Sequence, residues 1–439
     1  MIEYWLQNGD AYLLENNLEP EDIPSEFQIR DPPKQIRDIL EPLLQNNGKA
    51  TIFFNSYFGQ FRGGKARFKE SKTKTCSTCG NKGADKIKGW IFPFIIDKNK
   101  FPNLYPHGKI ESLNLCRNCA VRSFAAYHNV YFTAQRDYIS FVIFYSDTPK
   151  DLNEFLKTYA PKRVSREYYY NWRAPDRVFF PYEYLATILN EISENIKIET
   201  EIFEKRTGAL VFGVSVRGNK KIFEFAEILS DLSEFINIFQ IFKSKHTKNP
   251  FYQLFRNLRK GKDGEVKPDL FIWRNLFFKK LFKYRDIDWN IVENILFYNI
   301  RERNQTPPFL PSFLLSVMEV FGMGDKELYE KVSTLGYRLG METLRKELGK
   351  NIEEANRDEI DRARKKLVQR IYELKRKRTL EEFLDSLNTL QLSAESEIDD
   401  RPFRENEKIF YKLKVFFLIG ISNAAFSKRK EKGGDKNEG

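Results

Sequence analysis

The four cysteines of the chain form two Cys-x-x-Cys pairs, Cys76-Ser-Thr-Cys79 and Cys116-Arg-Asn-Cys119. In each pair a tight turn presents two sulfurs on one side, and two such pairs are the ligand set of a tetrahedral Cys₄ zinc site. Gly80 follows the first pair and suits that turn, because glycine accepts a positive φ without strain. The spacing therefore predicts a zinc site formed by Cys76, Cys79, Cys116 and Cys119.

Paired cysteines have two other uses. A redox Cys-x-x-Cys needs a single pair, normally at the start of a helix in a βαβ unit. Disulfides are typical of secreted proteins, and Met1–Trp5 has neither the basic start nor the apolar run of a secretory signal. A catalytic zinc ion needs an open coordination position, which four thiolates would fill. We therefore expect a structural zinc ion, with an insertion between pairs that lie further apart than is usual.

The composition indicates a basic, non-membrane protein of two or three domains. The 439 residues include 73 Lys and Arg against 61 Asp and Glu, giving a net charge of +12. Such an excess, where it is clustered, is typical of proteins that bind polyanions, above all nucleic acids. The most apolar run, Val415–Ile421, is far shorter than the ~20 residues that span a bilayer. We expect a cytoplasmic protein without a membrane partner.

The stretch between Phe58 and Cys76 combines basic and aromatic residues with Gly63-Gly64. Lysine and arginine suit phosphate contacts, and aromatic rings suit base stacking. The alternative is a solvated basic loop. Residues 163–177 form a second basic and aromatic stretch, which is open to the same two interpretations. The candidate nucleic-acid-binding residues of the first stretch are Arg62, Lys65, Arg67, Lys69, Lys72 and Lys74.

Strand and helix signals alternate in the first two thirds of the chain and predict an α+β domain over residues 1–302. Ser140–Tyr145 is rich in β-branched and aromatic residues and predicts a strand. Runs of the same kind on either side of Gly218-Asn219 predict a hairpin. Helices are predicted from Thr148 and over Tyr182–Ile196. A zinc-ribbon-like insert is expected at about 70–125.

The remainder of the chain predicts a helical bundle. Prolines at 303–312 predict a linker, 313–426 reads as helix, and the basic tail 427–439 is expected to be disordered. In Asp358–Arg378 the apolar residues recur at helical spacing. They are Ile360, Ala363, Leu367, Ile371 and Leu374. Thr379 and Glu382 predict a capping box that starts the next helix.

The order of these features resembles the large subunit of type I CRISPR Cascade, and within it the CXXC–CXXC subfamily of type I-B and I-A systems. The resemblance covers about residues 48–130 and combines several features in order. They are an extended segment ending in Asn55-Ser56, the basic loop, the first cysteine pair, Phe92-Pro93, an Asn-, Phe- and Tyr-rich loop with Gly108, and the second pair. A mostly helical C-terminal third completes the likeness.

The resemblance implies a role without a catalytic site. The large subunit of that family joins the backbone, handle-binding and small subunits around a crRNA, reads the PAM in target double-stranded DNA, and helps to open the duplex. It also holds the displaced strand and recruits a helicase–nuclease. In such complexes base pairing with the crRNA reads the target sequence, while the protein reads a short motif in the duplex. The cysteines match the CXXC pairs, and the C-terminal bundle resembles the small subunit. Candidates for the displaced strand are Lys365, Lys366, Arg370, Lys375, Arg376 and Arg378, for which a solvated helix face is the alternative.

Two other functions stay open. One is a stand-alone zinc-ribbon protein that binds nucleic acid. The other is a metal-dependent nuclease, which needs clustered carboxylates at its active site. Asp399-Asp400 and Glu353-Glu354 are isolated acidic pairs, and no P-loop, Gly-x-Ser-x-Gly or His-Glu-x-x-His motif occurs. We therefore expect a protein that is not an enzyme.

Overall fold

A computed structural model gives the fold of the chain. The described residues are 2–21, 26–27, 66–67, 71–86, 113–126, 129–135, 138–160, 181–196, 206–217, 220–246, 251, 254, 268–301 and 309–426. They are mostly helical with small sheets, which confirms the predicted α+β class. The chain divides into two compact units, the first formed by Met1–Gln240 with Arg274–Tyr284 and the second by Ile241–Trp273 with Arg285–Gly439.

A four-stranded antiparallel sheet forms the centre of the first unit. Its strands pair in the order β5 (Tyr131–Gln135), β6 (Tyr138–Ser146), β7 (Thr207–Arg217) and β8 (Lys220–Leu229). Phe141 and Phe212 lie opposite each other, and their rings stack with centroids 4.7 Å apart. The predicted strand at 140–145 and the predicted pairing of the runs beside 218–219 are confirmed.

Six of the described helices belong wholly or partly to this unit. They are α1 (Ile2–Glu15), α2 (Arg117–Ala125), α3 (Pro149–Thr158), α4 (Pro181–Asn195), α5 (Ser233–Ser244) and α6 (Pro268–Tyr284). The predicted cap of α3 is present, since the Thr148 hydroxyl accepts from the Asp151 N–H at 3.1 Å. Helix α4 confirms the helix expected over 182–196. The last two helices, α5 and α6, contribute residues to both units.

Helix α1 is joined to strand β6 by side-chain-to-backbone hydrogen bonds. Asn8 donates to the Phe144 carbonyl at 2.7 Å, and Gln7 donates to the Ser146 carbonyl at 2.6 Å. Ser146 N–H returns a bond to Gln7 at 3.1 Å. These bonds use backbone groups of the strand and so fix the position of α1 along it.

Two short strand pairs accompany the sheet. β1 (Glu26–Phe27) pairs with β2 (Ala66–Arg67), and β3 (Asp85–Lys86) pairs with β4 (Asn114–Leu115). The second pair lies between the two cysteine pairs in sequence and brings their flanks together.

The described residues of the second unit beyond 284 are helical. Their elements are α7 (Trp289–Arg301), α8 (Leu310–Phe321), α9 (Lys326–Leu348), α10 (Arg357–Arg376), α11 (Leu380–Ala394), α12 (Arg401–Arg404), a 3₁₀ turn (Glu407–Ile409) and α13 (Phe410–Ala425). α9 and α13 cross with their backbones in contact, because a Cβ on Gly420 would stand 1.9 Å from the Ser333 carbonyl oxygen. The apolar run of α13 is the buried centre of this unit.

Among the described helices, none combines the length and the apolar character that crossing a membrane requires.

The division between the units differs from the boundary predicted at 303–312. α7 precedes that boundary yet packs within the second unit, where the Trp289 ring lies 5.9 Å from that of Phe416. The Tyr411 hydroxyl also lies 3.0 Å from Asn290 Oδ1. These contacts are long-range, so a proline-rich segment could not reveal them. Residues 303–308 of the predicted linker and the predicted tail 427–439 lie outside the described residues, whereas 310–312, also predicted as linker, are the first residues of α8.

The helix periodicity of 358–378 is confirmed, and one predicted cap is corrected. Four of the five stripe residues are buried in α10, while Ile360 is half-buried. At the start of α11, the Thr379 hydroxyl accepts from Glu382 N–H at 3.3 Å as expected. The Glu382 carboxylate, however, accepts from Arg378 N–H at 3.1 Å and not from Thr379. The complete capping box stands at Asn356 and Glu359 instead.

Candidate metal centre

The structure brings the four cysteines together. One ligand atom from each lies within 4.8 Å of the others, and the sulfurs of Cys79 and Cys116 are 3.5 Å apart. Cys76, Cys116 and Cys119 are buried, whereas Cys79 is exposed. Four sulfur donors and no oxygen or nitrogen donors suit a soft or borderline ion in tetrahedral coordination. The group could therefore hold a metal ion such as zinc.

A short hairpin positions the first pair. Cys76 N–H donates to the Asn81 carbonyl at 2.8 Å, and Gly80 N–H donates to the Cys76 carbonyl at 3.0 Å. Gly80 has φ 77°, in the left-handed region that favours glycine, as the sequence predicts. Thr75 bridges to Lys82 in antiparallel fashion, which closes the hairpin around the cysteines.

The start of helix α2 positions the second pair. Cys116 is the N-cap residue, and its carbonyl accepts from Ala120 N–H at 2.9 Å. Cys119 follows in the first turn, so both sulfurs point from one end of the helix. Ser77 N–H donates to the Asn114 carbonyl at 2.8 Å, and Asn114 N–H donates to the Ser77 hydroxyl at 3.0 Å. This reciprocal pair ties the two knuckles to each other.

The electrostatics of the cluster favour a bound cation. Burial raises the pKa of Cys116 and of Cys119, and repulsion from Cys116 raises that of Cys119 further. Burial opposes ionisation of Cys76 as well, but backbone N–H groups that donate to its sulfur lower its pKa to about 6. One thiolate is thus stabilised by the fold, while four thiolates repel one another unless a cation lies among them.

Arg122 and Asp10 extend the centre, and neither was predicted from the sequence. Arg122 lies one helical turn after Cys119 and donates through Nη1 to its sulfur at 3.8 Å. Nε and Nη2 of the same guanidinium donate to the two carboxylate oxygens of Asp10. The hydrogen bonds to Asp10 raise the pKa of the Arg122 guanidinium. The i, i+3 spacing of Cys119 and Arg122 was a usable signal, but nothing local points to Asp10.

Exposed lysines surround the first knuckle. The predicted residues Lys72 and Lys74 lie exposed on this segment, and Lys82 and Lys86 are exposed on it too. The signal for the latter two was the continuation of the basic run beyond the cysteines, where Asp85 is the one acid before Lys86. Arg67 lies in β2. Arg62, Lys65 and Lys69 lie outside the described residues, as do 163–177 and the resemblance positions Asn55, Ser56, Phe92, Pro93 and Gly108.

The six basic candidates on and after α10 have differing surroundings. Lys365 and Arg376 are exposed on the helix, and Arg378 is exposed just beyond it. Lys366 pairs with Glu347 at 2.5 Å, and Arg370 pairs with Glu373 at 3.0 Å.

Lys375 is half-buried, and its ammonium lies 3.8 Å from the centroid of the Phe297 ring. Burial lowers its pKa. This cation–π contact gives Lys375 a packing role within the second unit.

The acidic pair Asp399-Asp400 is occupied by basic partners. Asp399 lies 3.0 Å from Lys331 and 2.8 Å from Arg401, and Asp400 lies 2.8 Å from Arg404. These bonds anchor the entry to α12. Within the part of the chain that the structure describes, the cysteines form the one group of three or more residues arranged to hold a metal.

Neither protein-family models nor curated protein sequences give a match to this chain. The fold and the site define a mixed α+β protein with a candidate four-cysteine metal centre beside exposed lysines.

Proposed function

We propose that this chain is the large subunit of a crRNA-guided type I surveillance complex, and that a structural zinc ion in the four-cysteine centre fixes its nucleic-acid-binding hairpin. The observation that supports this most is the convergence of the four thiols from two segments onto a hairpin that carries exposed lysines. The combination suits a folded basic surface that needs no catalytic group.

Each of the two segments would supply two of the four ligands. Cys76 and Cys79 would hold the ion from the hairpin, and Cys116 and Cys119 would hold it from the start of α2. When bound, zinc supplies cross-linking and charge neutralisation, and its binding free energy becomes folding free energy. The hairpin then keeps Lys72, Lys74, Lys82 and Lys86 in one place, where their ammonium groups can contact successive phosphates.

Charge alone gives affinity for nucleic acid without sequence specificity. Phosphate contacts position a protein on a duplex, and in a guided complex base pairing supplies most of the sequence information. The role proposed for this subunit is therefore to engage the PAM-side duplex and stabilise the opened strands beside the crRNA-bearing subunits. Exposed Lys365 and Arg376 in the second unit are the strongest described candidates for the displaced strand. The helicase–nuclease, and not this subunit, would cut the target.

A charge-reversal experiment tests the binding surface. We expect Lys74→Glu with Lys82→Glu to weaken duplex DNA binding and to lower the slope of log K against log salt by about 2, since each lost phosphate contact removes about 0.9. Lys157→Glu with Lys150→Glu on α3 is the matched control, because it changes the net charge equally on an element that carries neither the cysteines nor the hairpin lysines. Equal loss in both double mutants would show that net charge, and not the hairpin, drives binding.

Co-purification tests the assembly. We expect the chain to join a ribonucleoprotein containing crRNA and to confer PAM-dependent duplex binding that weakens steeply with salt. A complex that binds DNA independently of the PAM would contradict the proposed role. Tight binding by the isolated chain, with no association with the crRNA complex, would identify a stand-alone zinc-ribbon protein.

A further inference from the structure

Arg122 stands between the metal centre and the N-terminal helix. One of its terminal nitrogens faces Cys119 Sγ at 3.8 Å, and the other edge of the guanidinium is held by both oxygens of Asp10 on α1. Asp10 and Arg122 are 112 residues apart in sequence. Their side chains are about a fifth and a quarter to a third exposed, so the pair is partly shielded from solvent.

Other residues of α1 also contact this turn of α2. The buried Trp5 indole donates to the Ser123 carbonyl at 2.7 Å. Gly9 lies against the Arg122 carbonyl so closely that a Cβ there would be 1.8 Å from the oxygen. Asn129, just after α2, donates to the Asn8 carbonyl at 3.0 Å. Helix α1 therefore docks on the turn that follows the second pair of thiols.

The charge of Arg122 complements the charge that the centre would carry with an ion bound. A divalent ion with four thiolates carries a net charge of about −2, which a neighbouring guanidinium stabilises. A hydrogen bond from outside the ligand set also orients its sulfur and tunes it. A lone arginine could rotate away from Cys119, but a two-point bond to a carboxylate fixes the plane of the guanidinium.

We propose that Arg122 and Asp10 form an outer-shell pair that couples ion binding at the four-cysteine centre to docking of α1. Arg122 is a positioning residue, since it acts through Cys119, and Asp10 acts through Arg122. The inference rests on the metal centre of the proposed function. Coupling is reciprocal, so whatever factor α1 docking adds to ion affinity, ion binding adds to α1 docking.

Zinc affinity of the full chain, measured by competition with a chromophoric chelator, tests the pair. We expect Arg122→Met to lower the affinity by about 10–100-fold, the range usual for outer-shell partners, while one zinc ion per chain still binds at saturation. Arg122→Lys should recover part of the loss, because it keeps the charge but not the two-point geometry. Asp10→Asn should lower the affinity less, and Glu3→Gln, an exposed carboxylate on the same helix, is the matched control.

The zinc-dependent change in Trp5 fluorescence supplies a readout that a purely structural role of Arg122 would not alter. The Trp5 contribution is obtained by difference against Trp5→Phe. In the wild type we expect zinc removal to shift this emission toward the red as α1 undocks, and in Arg122→Met we expect the emission to respond little to zinc.

The zinc-binding results distinguish a failure of the coupling from a failure of the metal centre. Unchanged zinc affinity in both Arg122→Met and Asp10→Asn would overturn the coupling while leaving the centre in place. A wild type that binds no zinc would overturn the proposed centre and the coupling with it.

Discussion

Replacing Gly9 with alanine forces α1 away from α2. The new Cβ would stand 1.8 Å from the Arg122 carbonyl oxygen, whereas contacts under 3.0 Å essentially never occur for Cβ atoms. The α1 backbone fixes the position of the Cβ and the α2 backbone fixes that of the carbonyl oxygen, so neither atom can rotate aside and the helices must separate by roughly 1.2 Å. Such a shift would break the 2.7 Å bond from Trp5 to Ser123 and loosen the Asp10–Arg122 pair.

The separate contributions can be compared. Overpacking costs about 1–3 kcal/mol, and the lost hydrogen bond adds about 0.5–1.5 kcal/mol. Alanine is the better helix former by up to about 1 kcal/mol, which offsets part of that cost. We therefore expect Gly9→Ala to lower the free energy of unfolding of the first unit by about 2 kcal/mol. A local reading of helix propensity predicts the opposite sign.

Denaturant titration of the full chain, followed by Trp5 emission, measures the change. Leu14→Ala is the control, since Leu14 is 49% exposed on the same helix, and we expect it to change stability little. Zinc affinity should fall in Gly9→Ala as well if α1 docking and ion binding are coupled. A midpoint equal to or above that of the wild type would refute the close contact between α1 and α2 on which this reasoning depends.

Three further predictions concern the second unit. Gly420→Ala places a Cβ 1.9 Å from the Ser333 carbonyl oxygen, so we expect a loss of about 1–3 kcal/mol in thermal unfolding, and an unchanged Tm would contradict the crossing of α9 and α13. The buried Lys414 ammonium donates to two carbonyl oxygens at the end of α10 at 2.8 Å each, so Lys414→Met should cost about 1–3 kcal/mol in denaturant titrations, and a neutral result would contradict that capping role. Burial lowers the pKa of His246, so the unfolded chain binds this proton more tightly and stability should fall as the pH drops below about 6.5. His246→Gln should reduce that pH dependence in melts between pH 5 and 8, and an identical profile would contradict it.

Local patterns predict the candidate site better than they predict its supports. Cysteine spacing is sufficient to predict that the four cysteines form one candidate metal centre, because two Cys-x-x-Cys turns are a usual ligand set for zinc. Hydrophobic periodicity is sufficient to predict α10, because the buried residues of this helix form a single apolar stripe. Strand composition on either side of the Gly-Asn sequence is sufficient to predict the pairing of β7 with β8.

The supports depend on residues far apart in sequence. Nothing near Asp10 indicates that it faces Arg122, and Gly9 reads locally as a helix-weakening residue although it is the point of closest docking. The boundary between the units also depends on contacts between residues that are distant in sequence. The proline-rich run is a local signal, whereas the packing of α7 on α13 decides which unit α7 joins.

The most direct test of the account is DNA binding by a chain that cannot hold the ion. Cys76→Ser with Cys79→Ser removes the ligands that the hairpin contributes and leaves every lysine in place. We predict that the double mutant, incorporated in the crRNA complex, contains no zinc and binds PAM-bearing duplex DNA more weakly than the wild type. Full DNA binding by the zinc-free double mutant would contradict the claim that the metal centre fixes the binding surface.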